Sequence, residues 1–259
     1  MGDLSQVVSA VRRSDQVYYE LVSSRHTIDC AYAYTCGDFP DLAECNFVGE
    51  VVLADTPDPV ALVNAHFAER GLRCHRWEPA AIQPPAPVEA LVSPLGFERR
   101  ETAALGLSRE PAPAQCPVRI LGGRAMRRAY TAVVAQRSAA GGRLSDQLAR
   151  HQLERLNEPQ YDAFVAISGD DPVGMVSLLQ VGEIGRICDL YVLPDRRGRG
   201  VAAALLAHVI STARRWSLRT LCARVAVEND AALRVFSRAG LEEHGRIVSF
   251  SRPDAEAES

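Results

Sequence analysis

The residues with the clearest chemical potential lie between positions 187 and 202. An apolar, strand-like run ends there in a Pro-Asp turn, and Gly198 and Gly200 then alternate with Arg197 and Arg199 before a helical pattern begins. The first N–H groups of a helix have no partner within it, and the helix dipole is positive at that end. Glycines let phosphate oxygens approach these N–H groups, and arginines add charge. The segment therefore predicts a phosphate-binding site.

Two common phosphate-binding motifs do not fit these residues. A Walker motif needs lysine, and this chain contains none; a dinucleotide fingerprint needs a third glycine where Ala203 stands. The segment instead resembles the pyrophosphate motif of the GNAT superfamily of N-acyltransferases, Arg/Gln-x-x-Gly-x-Gly/Ala, which spans 197–202 here. The alternative is an arginine-rich surface loop before an amphipathic helix.

A second segment, 229–241, strengthens the resemblance. The later motif of the family has Asn, then Ala three residues on, then an aromatic residue four further, and then Gly-Phe after the helix. Asn229, Ala232, Phe236 and the Gly-Leu pair that follows fit this spacing. Asn229 is expected to cap a helix, and the glycine at 240 is expected to end it in the left-handed conformation.

The resemblance implies a binding site for acetyl-CoA or another short acyl-CoA. In the family, the strand before the loop splays from its neighbour at a bulge, and a backbone N–H there polarises the thioester carbonyl; the matching residues are Leu190, Tyr191 and Val192. The other expected cofactor-binding residues are Arg197, Gly198, Arg199, Gly200, Val201, Ala202, Asn229, Ala232 and Phe236.

The candidates for proton transfer are Asp189, Glu183 and Tyr191. Asp189 precedes the expected thioester site, where acids of the superfamily often assist amine deprotonation; the alternative is a structural or substrate-orienting carboxylate. Glu183, in the preceding turn, is the second candidate for the base, with an exposed turn acid as the alternative.

Phe236 departs from the family pattern, because many members have a tyrosine there as the general acid. Phenylalanine has no proton to give. Three explanations stay open: the thiolate leaves unassisted or by way of water, another hydroxyl (Tyr191 or Ser237) acts instead, or the chain binds acyl-CoA without catalysis.

The chain length of 259 residues predicts two domains. The expected fold class is α/β with a mixed sheet. The resemblance implies a degenerate GNAT-like N-terminal domain at 1–112 and a catalytic GNAT domain that binds acyl-CoA at 117–252, and 253–259 are expected to form a flexible, solvated tail. In the C-terminal half the patterns predict helices at 125–139, 144–156, 199–216 and 229–239, strands at 161–167, 173–179 and 219–227, and a final strand pair from Leu241.

The N-terminal half resembles a worn copy of the C-terminal half. The strand-like run 47–55 matches the one that ends at Asp195, and Gly96-Phe97 matches the Gly-Leu pair at 240. The alternative is that Gly-Phe after a helix recurs by accident. The loop of the copy, 56–59, has two prolines, an acid and no glycine, so one cofactor site per chain is expected.

Composition excludes several classes of function. Apolar residues make up 47% of the chain, charged residues 24%, and the net charge of −3 does not favour a nucleic-acid partner. No apolar run approaches the length of a membrane span and no signal peptide is evident, so a cytoplasmic protein is expected. The seven cysteines form no C-x-x-C pair, which disfavours a metal site. His151 and His244 have no evident acid or serine partner, so a catalytic triad is not supported.

The expected partner is a small or medium-sized amine acceptor. A groove capped by a second domain suits such a molecule better than a protein surface. The chain is expected to be a monomer or a homodimer.

Overall fold

The structure is a computed structural model that describes residues 5–53, 56–111, 116–139 and 142–253. Asp55, the middle of the proline-rich linker (112–115) and the tail after residue 253 were singled out in the sequence, and they lie outside the described residues. None of the described helices is long and apolar enough to cross a membrane.

Helices and strands alternate along much of the described chain. The helices are α1 (Gln6–Glu20), α2 (Pro59–Ala68), α3 (Pro85–Val92), α4 (Arg127–Ala139), α5 (Ser145–Glu154), α6 (Val201–Arg215) and α7 (Asp230–Arg238). The strands are β1 (Ser24–Ile28), β2 (Ala31–Thr35), β3 (Phe47–Val51), β4 (Arg76–Pro79), β5 (Glu98–Leu107), β6 (Arg119–Gly122), β7 (Tyr161–Ser168), β8 (Asp171–Val181), β9 (Ile184–Val192), β10 (Thr220–Ala226) and β11 (Leu241–Ser251).

The described residues group into two compact units, each built from separate stretches of chain. The first unit contains 5–18, 102–111, 116–139 and 152–246, and the second contains 19–53, 56–101, 142–151 and 247–253. The divisions cut through α1, β5 and β11 rather than falling in a linker. The predicted domains, 1–112 and 117–252, were defined by an internal sequence repeat. The two compact units are defined by spatial contacts, which do not test a repeat, so the domain ranges stay a prediction.

In the first unit the strands lie in the order β11-β5-β10-β9-β8-β7-β6. β9 and β10 are parallel, and β6 to β9 form an antiparallel meander. Parallel neighbours need a crossover, which α6 supplies. Its apolar stripe, with Leu205, Leu206 and Val209, is buried against the sheet. The predicted α/β class with a mixed sheet is confirmed.

The second unit has the strand order β1-β2-β3-β4-β11. β3 and β4 are parallel, and α2 connects them. Its core contains Val63, Phe67, Trp77 and Phe250, all at most 2% exposed. Burial of these large apolar side chains is the main stabilising contribution within this unit.

Two sequence predictions about helix ends are confirmed, and one about strands is wrong. The Asn229 side chain accepts a hydrogen bond from the Ala232 N–H at 3.0 Å, which caps α7. Gly240 follows α7 with φ of +91°. In place of a strand pair after Leu241, one strand runs unbroken to Ser251. Residues 242–246 form the more exposed part of this continuous strand.

Candidate active site

Strand β9 carries a bulge near its carboxyl end. Met175 of β8 pairs with Tyr191. Two residues further along β8, Ser177 pairs with Cys188, so one residue of β8 opposes two of β9. One of those two is Asp189, whose φ of +55° lies in the left-handed region that few non-glycine residues adopt. Bulges bend a strand and are frequent beside active sites.

The bulge coincides with a gap in the sheet. β9 and β10 pair from Ile184 only as far as Ile187, which lies opposite Ala223. Each strand continues beyond that point, β9 to Val192 and β10 to Ala226, and these described continuations do not pair with each other. β8 and β5 still cover their outer edges. The inner edges therefore leave backbone N–H and C=O groups available to an extended ligand.

The gap leads to an exposed loop at the end of β9. Gly198 and Gly200 both adopt left-handed backbone conformations, with φ of +73° and +83°. The Arg197 side chain folds back, and its Nε donates to the Val192 carbonyl at 3.1 Å. The loop residues from 197 to 200 are solvent-exposed. The loop therefore presents two left-handed glycines and two arginines to solvent.

The N-terminus of α6 is open. Gly200 occupies the N-cap position, where no side chain caps the helix, and its first turn contains no acidic residue. The first N–H groups of this 15-residue helix thus face outward with the positive end of its dipole. This arrangement suits an anion.

Helix α7 places Phe236 in the apolar core and leaves Ser237 exposed. Phe236 is buried in the same apolar core as α6, and Ala232 packs against that core. The Asn229 side chain is engaged in capping its own helix.

The Asp189 carboxylate lies in a buried network of donors. Tyr161 Oη donates to its Oδ2 at 2.5 Å, and Arg137 Nη1 donates to its Oδ1 at 2.9 Å. Tyr18 Oη lies 3.3 and 3.4 Å from the two oxygens. The Asp189 side chain is 3% exposed, although the residue as a whole is half-buried, so its exposed part is the backbone.

This network keeps Asp189 ionised. Burial by itself raises the pKa of the carboxyl, but the charges of Arg137 and Arg155 and the hydrogen bond from Tyr161 outweigh it and hold that pKa well below its usual range. Burial, followed by the Asp189 charge, raises the pKa of Tyr161 well above its usual value. The carboxylate is therefore a hydrogen-bond acceptor with low proton affinity.

A second buried ion cluster lies at the open end of β10. Arg224 Nη1 donates to Asp15 Oδ2 at 2.7 Å, and its Nε donates to Thr102 Oγ1 at 2.7 Å. Arg186 of β9 also donates to Asp15. Helix α1 thus supplies Asp15, which bridges β9 and β10, and Tyr18, which contacts Asp189 of β9.

Sequence reasoning missed Asp15, Tyr18, Arg137 and Tyr161 as partners of this site. Tyr18 precedes Asp189 by 171 positions, and no spacing pattern links the two. A strand–helix pattern identifies the residues on its own elements, but it does not identify side chains from distant elements that pack against them.

The structure does not bring Glu183 to the site. It lies in the turn before β9, is exposed, and pairs with Arg219 at 3.0 Å. Asp189 lies six positions further along the chain, about 20 Å away at roughly 3.3 Å per residue of strand. The suggestion that Glu183 is a base overlooked this length of strand, and its alternative, an exposed turn acid, matches the geometry.

Tyr191 lies at the site but outside the Asp189 network. It is half-buried, and the Arg197 guanidinium lies 5.8 Å from its ring centroid. Two residues of a regular strand that are two positions apart share a face, but the bulge at Asp189 interrupts this alternation before Tyr191.

Two histidines expected to lack partners do have them. His151 Nδ1 lies 3.9 Å from Glu44, and His244 Nε2 lies 3.0 Å from Ser108 Oγ. In the described part of the chain, no group of three or more His, Cys, Asp or Glu residues could hold a metal ion.

Comparison with known proteins agrees with this geometry. The model of the Acetyltransferase (GNAT) family matches residues 128–241. Residues 128–241 form a GNAT acetyltransferase domain. An uncharacterized N-acetyltransferase of Methanocaldococcus jannaschii is 34% identical over 96 residues, which cover 34% of this chain and 42% of that protein. The chain thus matches about two fifths of that relative's length.

Solved structures resemble the chain over nearly its full length. A GCN5-related N-acetyltransferase from Kribbella flavida has a TM-score of 0.66 at 14% identity and covers 96% of this chain and 97% of its own. A conserved protein of unknown function from Staphylococcus epidermidis reaches 0.67 at 15% identity, with coverage of 92% and 96%. A GCN5-related N-acetyltransferase from Sphaerobacter thermophilus reaches 0.59 at 17% identity, with coverage of 95% and 90%. At these identities the likeness concerns the fold.

Proposed function

We propose that the protein is an N-acetyltransferase that moves the acetyl group of acetyl-CoA, or of another short acyl-CoA, to the amine of a small or medium-sized acceptor in a ternary complex. The observation that carries the proposal is the succession along one strand of a bulge, an unpaired gap and an open helix N-terminus. A surface loop before an amphipathic helix would account for the last of these features but not for the gap.

The loop chemistry fits a pyrophosphate. Gly198 and Gly200 have no Cβ to keep an oxygen from the backbone, and no side chain occupies the N-terminus of α6. Arg197 and Arg199 supply cations at the same surface. The N–H groups of Val201 and Ala202, in the first turn of the helix, complete the proposed anion site.

The gap between β9 and β10 fits an extended chain with amide groups. The unpaired inner edges of the two strands offer donors and acceptors in the pattern of a missing strand. When bound, acetyl-CoA supplies an acetyl group activated as a thioester. The backbone N–H groups of 190–192 are the proposed donors that polarise its carbonyl.

We place Asp189 as a positioning residue, because three side chains already donate to its carboxylate. Its hydrogen bonds hold a left-handed residue in place at the bulge, and that residue sets the direction of the N–H groups that follow. The acceptor amine then loses its proton to water. This role corresponds to the structural alternative raised for Asp189 from the sequence.

Tyr191 is the proposed proton donor to the leaving thiolate, since Phe236 has no hydroxyl. The competing route is departure without assistance, which a thiol with a pKa of about 8.5 permits near neutral pH. A Tyr191→Phe variant distinguishes the two routes. Loss of kcat with retained acetyl-CoA affinity supports Tyr191 as the acid, and an unchanged kcat supports unassisted departure.

A second candidate is an acyl-CoA-binding or sensing module without turnover. It is favoured by Phe236, because this buried side chain has no hydroxyl to protonate a leaving thiolate. A third, peptide or protein N-acetylation, differs in its acceptor. Calorimetry with acetyl-CoA, CoA and NADPH tests the cofactor, because a ligand that binds the native state raises Tm. Thiol release from acetyl-CoA over a panel of amines and peptides then tests the acceptor. Binding with turnover on small amines supports the proposal, binding without turnover supports the module, and no binding to either CoA species overturns both.

A further inference from the structure

The pKa of one cysteine, Cys36, shifts in the opposite direction to the pKa values of four buried cysteines. Burial raises the pKa of Cys30, and it raises the pKa values of Cys74 and Cys188 to about 12 and that of Cys222 to about 11. The pKa of Cys36 is instead lowered to about 7. The first four thiols are buried and protonated, whereas a large fraction of Cys36 is thiolate near neutral pH.

The surroundings of Cys36 explain the difference. The donor groups around its sulfur lower the pKa: the Cys45 thiol has the largest influence and outweighs burial, and the backbone N–H groups of Asp38 and Phe39 act in the same direction. The Asp38 carboxylate is the charged group that opposes ionisation. The turn after β2 thus holds a sulfur anion among N–H and S–H donors.

A buried asparagine ties the Cys36 backbone to the chain next to Cys45, and Cys36 packs against the apolar cluster that contains Cys45. Asn46 Oδ1 accepts from the Cys36 N–H at 2.9 Å, and Asn46 Nδ2 donates to the carbonyls of Cys36 at 3.3 Å and Phe39 at 2.7 Å. Asn46 is fully buried and directly follows Cys45 in the chain. Cys45 is buried with Phe39 and Leu42, whereas Cys36 is partly exposed. An accessible thiolate therefore lies beside a protected thiol within a rigid loop.

We propose that Cys36 and Cys45 form an oxidisable dithiol pair that a peroxide converts to an intrachain disulfide. The Cys36 thiolate attacks a peroxide oxygen, an S–O bond forms, the O–O bond breaks, and the departing hydroxide takes up a proton to become water. The Cys45 sulfur, after losing its proton, attacks the resulting sulfenic sulfur, and a second water leaves. Both cysteines are oxidised and one hydrogen peroxide is reduced to two waters.

The test is peptide mass spectrometry of the full chain treated with hydrogen peroxide and then with an alkylating agent. The expected product is a link between the peptides that contain Cys36 and Cys45, reversed by dithiothreitol. Cys116, which is also partly exposed, is the internal control and stays alkylated. In Cys45→Ser the link is lost and a dimedone adduct appears on Cys36. A link to another cysteine, or oxidation of Cys36 directly to sulfinic acid in the wild type, overturns the proposal.

A second measurement does not depend on the fold of a variant. The rate at which iodoacetamide alkylates Cys36 in the wild-type chain is expected to rise with pH and to be half-maximal near pH 7. For an unperturbed cysteine the half-maximal rate falls near pH 8.5. A midpoint at or above 8.5 would show that the loop does not stabilise the thiolate and would overturn the proposal.

Discussion

Two segments of this chain share an order of elements but differ where a ligand would bind. β3, α2, β4, α3 and β5 follow one another in the N-terminal half as β9, α6, β10, α7 and β11 do in the C-terminal half. In each, the first and third elements are parallel neighbours. Each first strand carries a non-glycine residue with positive φ, Glu50 at +52° and Asp189 at +55°. Each second helix is followed by a left-handed glycine, Gly96 and Gly240.

The two bulges have different consequences for the sheet. After Glu50 the ladder between β3 and β4 resumes, since Val51 pairs with Pro79 and its carbonyl accepts from the Ala80 N–H at 3.0 Å. After Asp189 the pairing of β9 with β10 does not resume in the described residues. A bulge alone therefore does not open a gap, and the strand that follows must also diverge.

The helix starts differ as well. The Asp58 carboxylate caps α2 by accepting from the Ala61 N–H at 2.9 Å, and Pro59 removes one N–H from the first turn. Gly200 leaves the corresponding end of α6 open. One segment thus satisfies its helix terminus internally, and the other leaves it to a ligand. The likeness is consistent with duplication, which stays a prediction.

The largest expected effect is on acetyl-CoA binding when the N-cap of α6, Gly200, is changed to the aspartate that caps α2. Gly200→Asp should weaken acetyl-CoA binding by about 100-fold or more, roughly 2.7 kcal/mol, because a carboxylate enters the proposed pyrophosphate site. Calorimetric titration measures this change. Gly200→Asn is the matched control, since asparagine tolerates the left-handed backbone and has the same size without the charge.

Asp58→Ala in α2 is the reciprocal control for the Gly200 prediction. Loss of this cap should lower the free energy of unfolding by about 1 kcal/mol and leave acetyl-CoA affinity unchanged. Normal affinity of Gly200→Asp, or lost affinity of Asp58→Ala, would show that the anion site is not at α6.

The second prediction compares Asp189 with Glu50. Asp189→Asn should lower kcat about 10- to 100-fold at every pH and keep the acidic limb of the pH–rate profile, because a positioning residue does not titrate in that range. Loss of the limb would instead identify Asp189 as the general base. Glu50→Gln, at the equivalent bulge of the other segment, should leave the profile and kcat unchanged.

The phosphate loop and the Asp189 network differ in how far they could be predicted from the sequence. The loop at 197–202 and the cap at Asn229 depend on neighbours a few residues away, so spacing predicted them. The donors that surround Asp189 come from helices α1 and α4 and strand β7, and nothing local in the sequence pairs them with β9. The role of a buried carboxylate depends on such partners, so the sequence left the choice between base and positioning residue open.

The third prediction concerns acid stability. Because the pKa of Asp189 is lower in the folded chain than in the unfolded chain, its stabilising contribution is present above about pH 4, the unfolded value, and is lost as pH falls toward the folded value. Asp189→Asn should therefore cost about 3 kcal/mol of unfolding free energy at pH 7 and less at pH 3. Urea unfolding at both pH values measures the difference. An equal cost at both values would contradict the ionised network.

The smallest expected effect is at Glu183. Its carboxylate is exposed and pairs with Arg219, and an exposed ion pair contributes about 0–1 kcal/mol. Glu183→Gln should therefore leave kcat, KM and acetyl-CoA affinity within about twofold of the wild-type values. Steady-state kinetics beside Asp189→Asn provide the comparison, since both variants remove one negative charge from strand β9 or its preceding turn. A tenfold loss of kcat in Glu183→Gln, with normal acetyl-CoA affinity, would contradict this prediction. It would place the acceptor at the amino end of β9, a strand's length away from the gap and the phosphate loop.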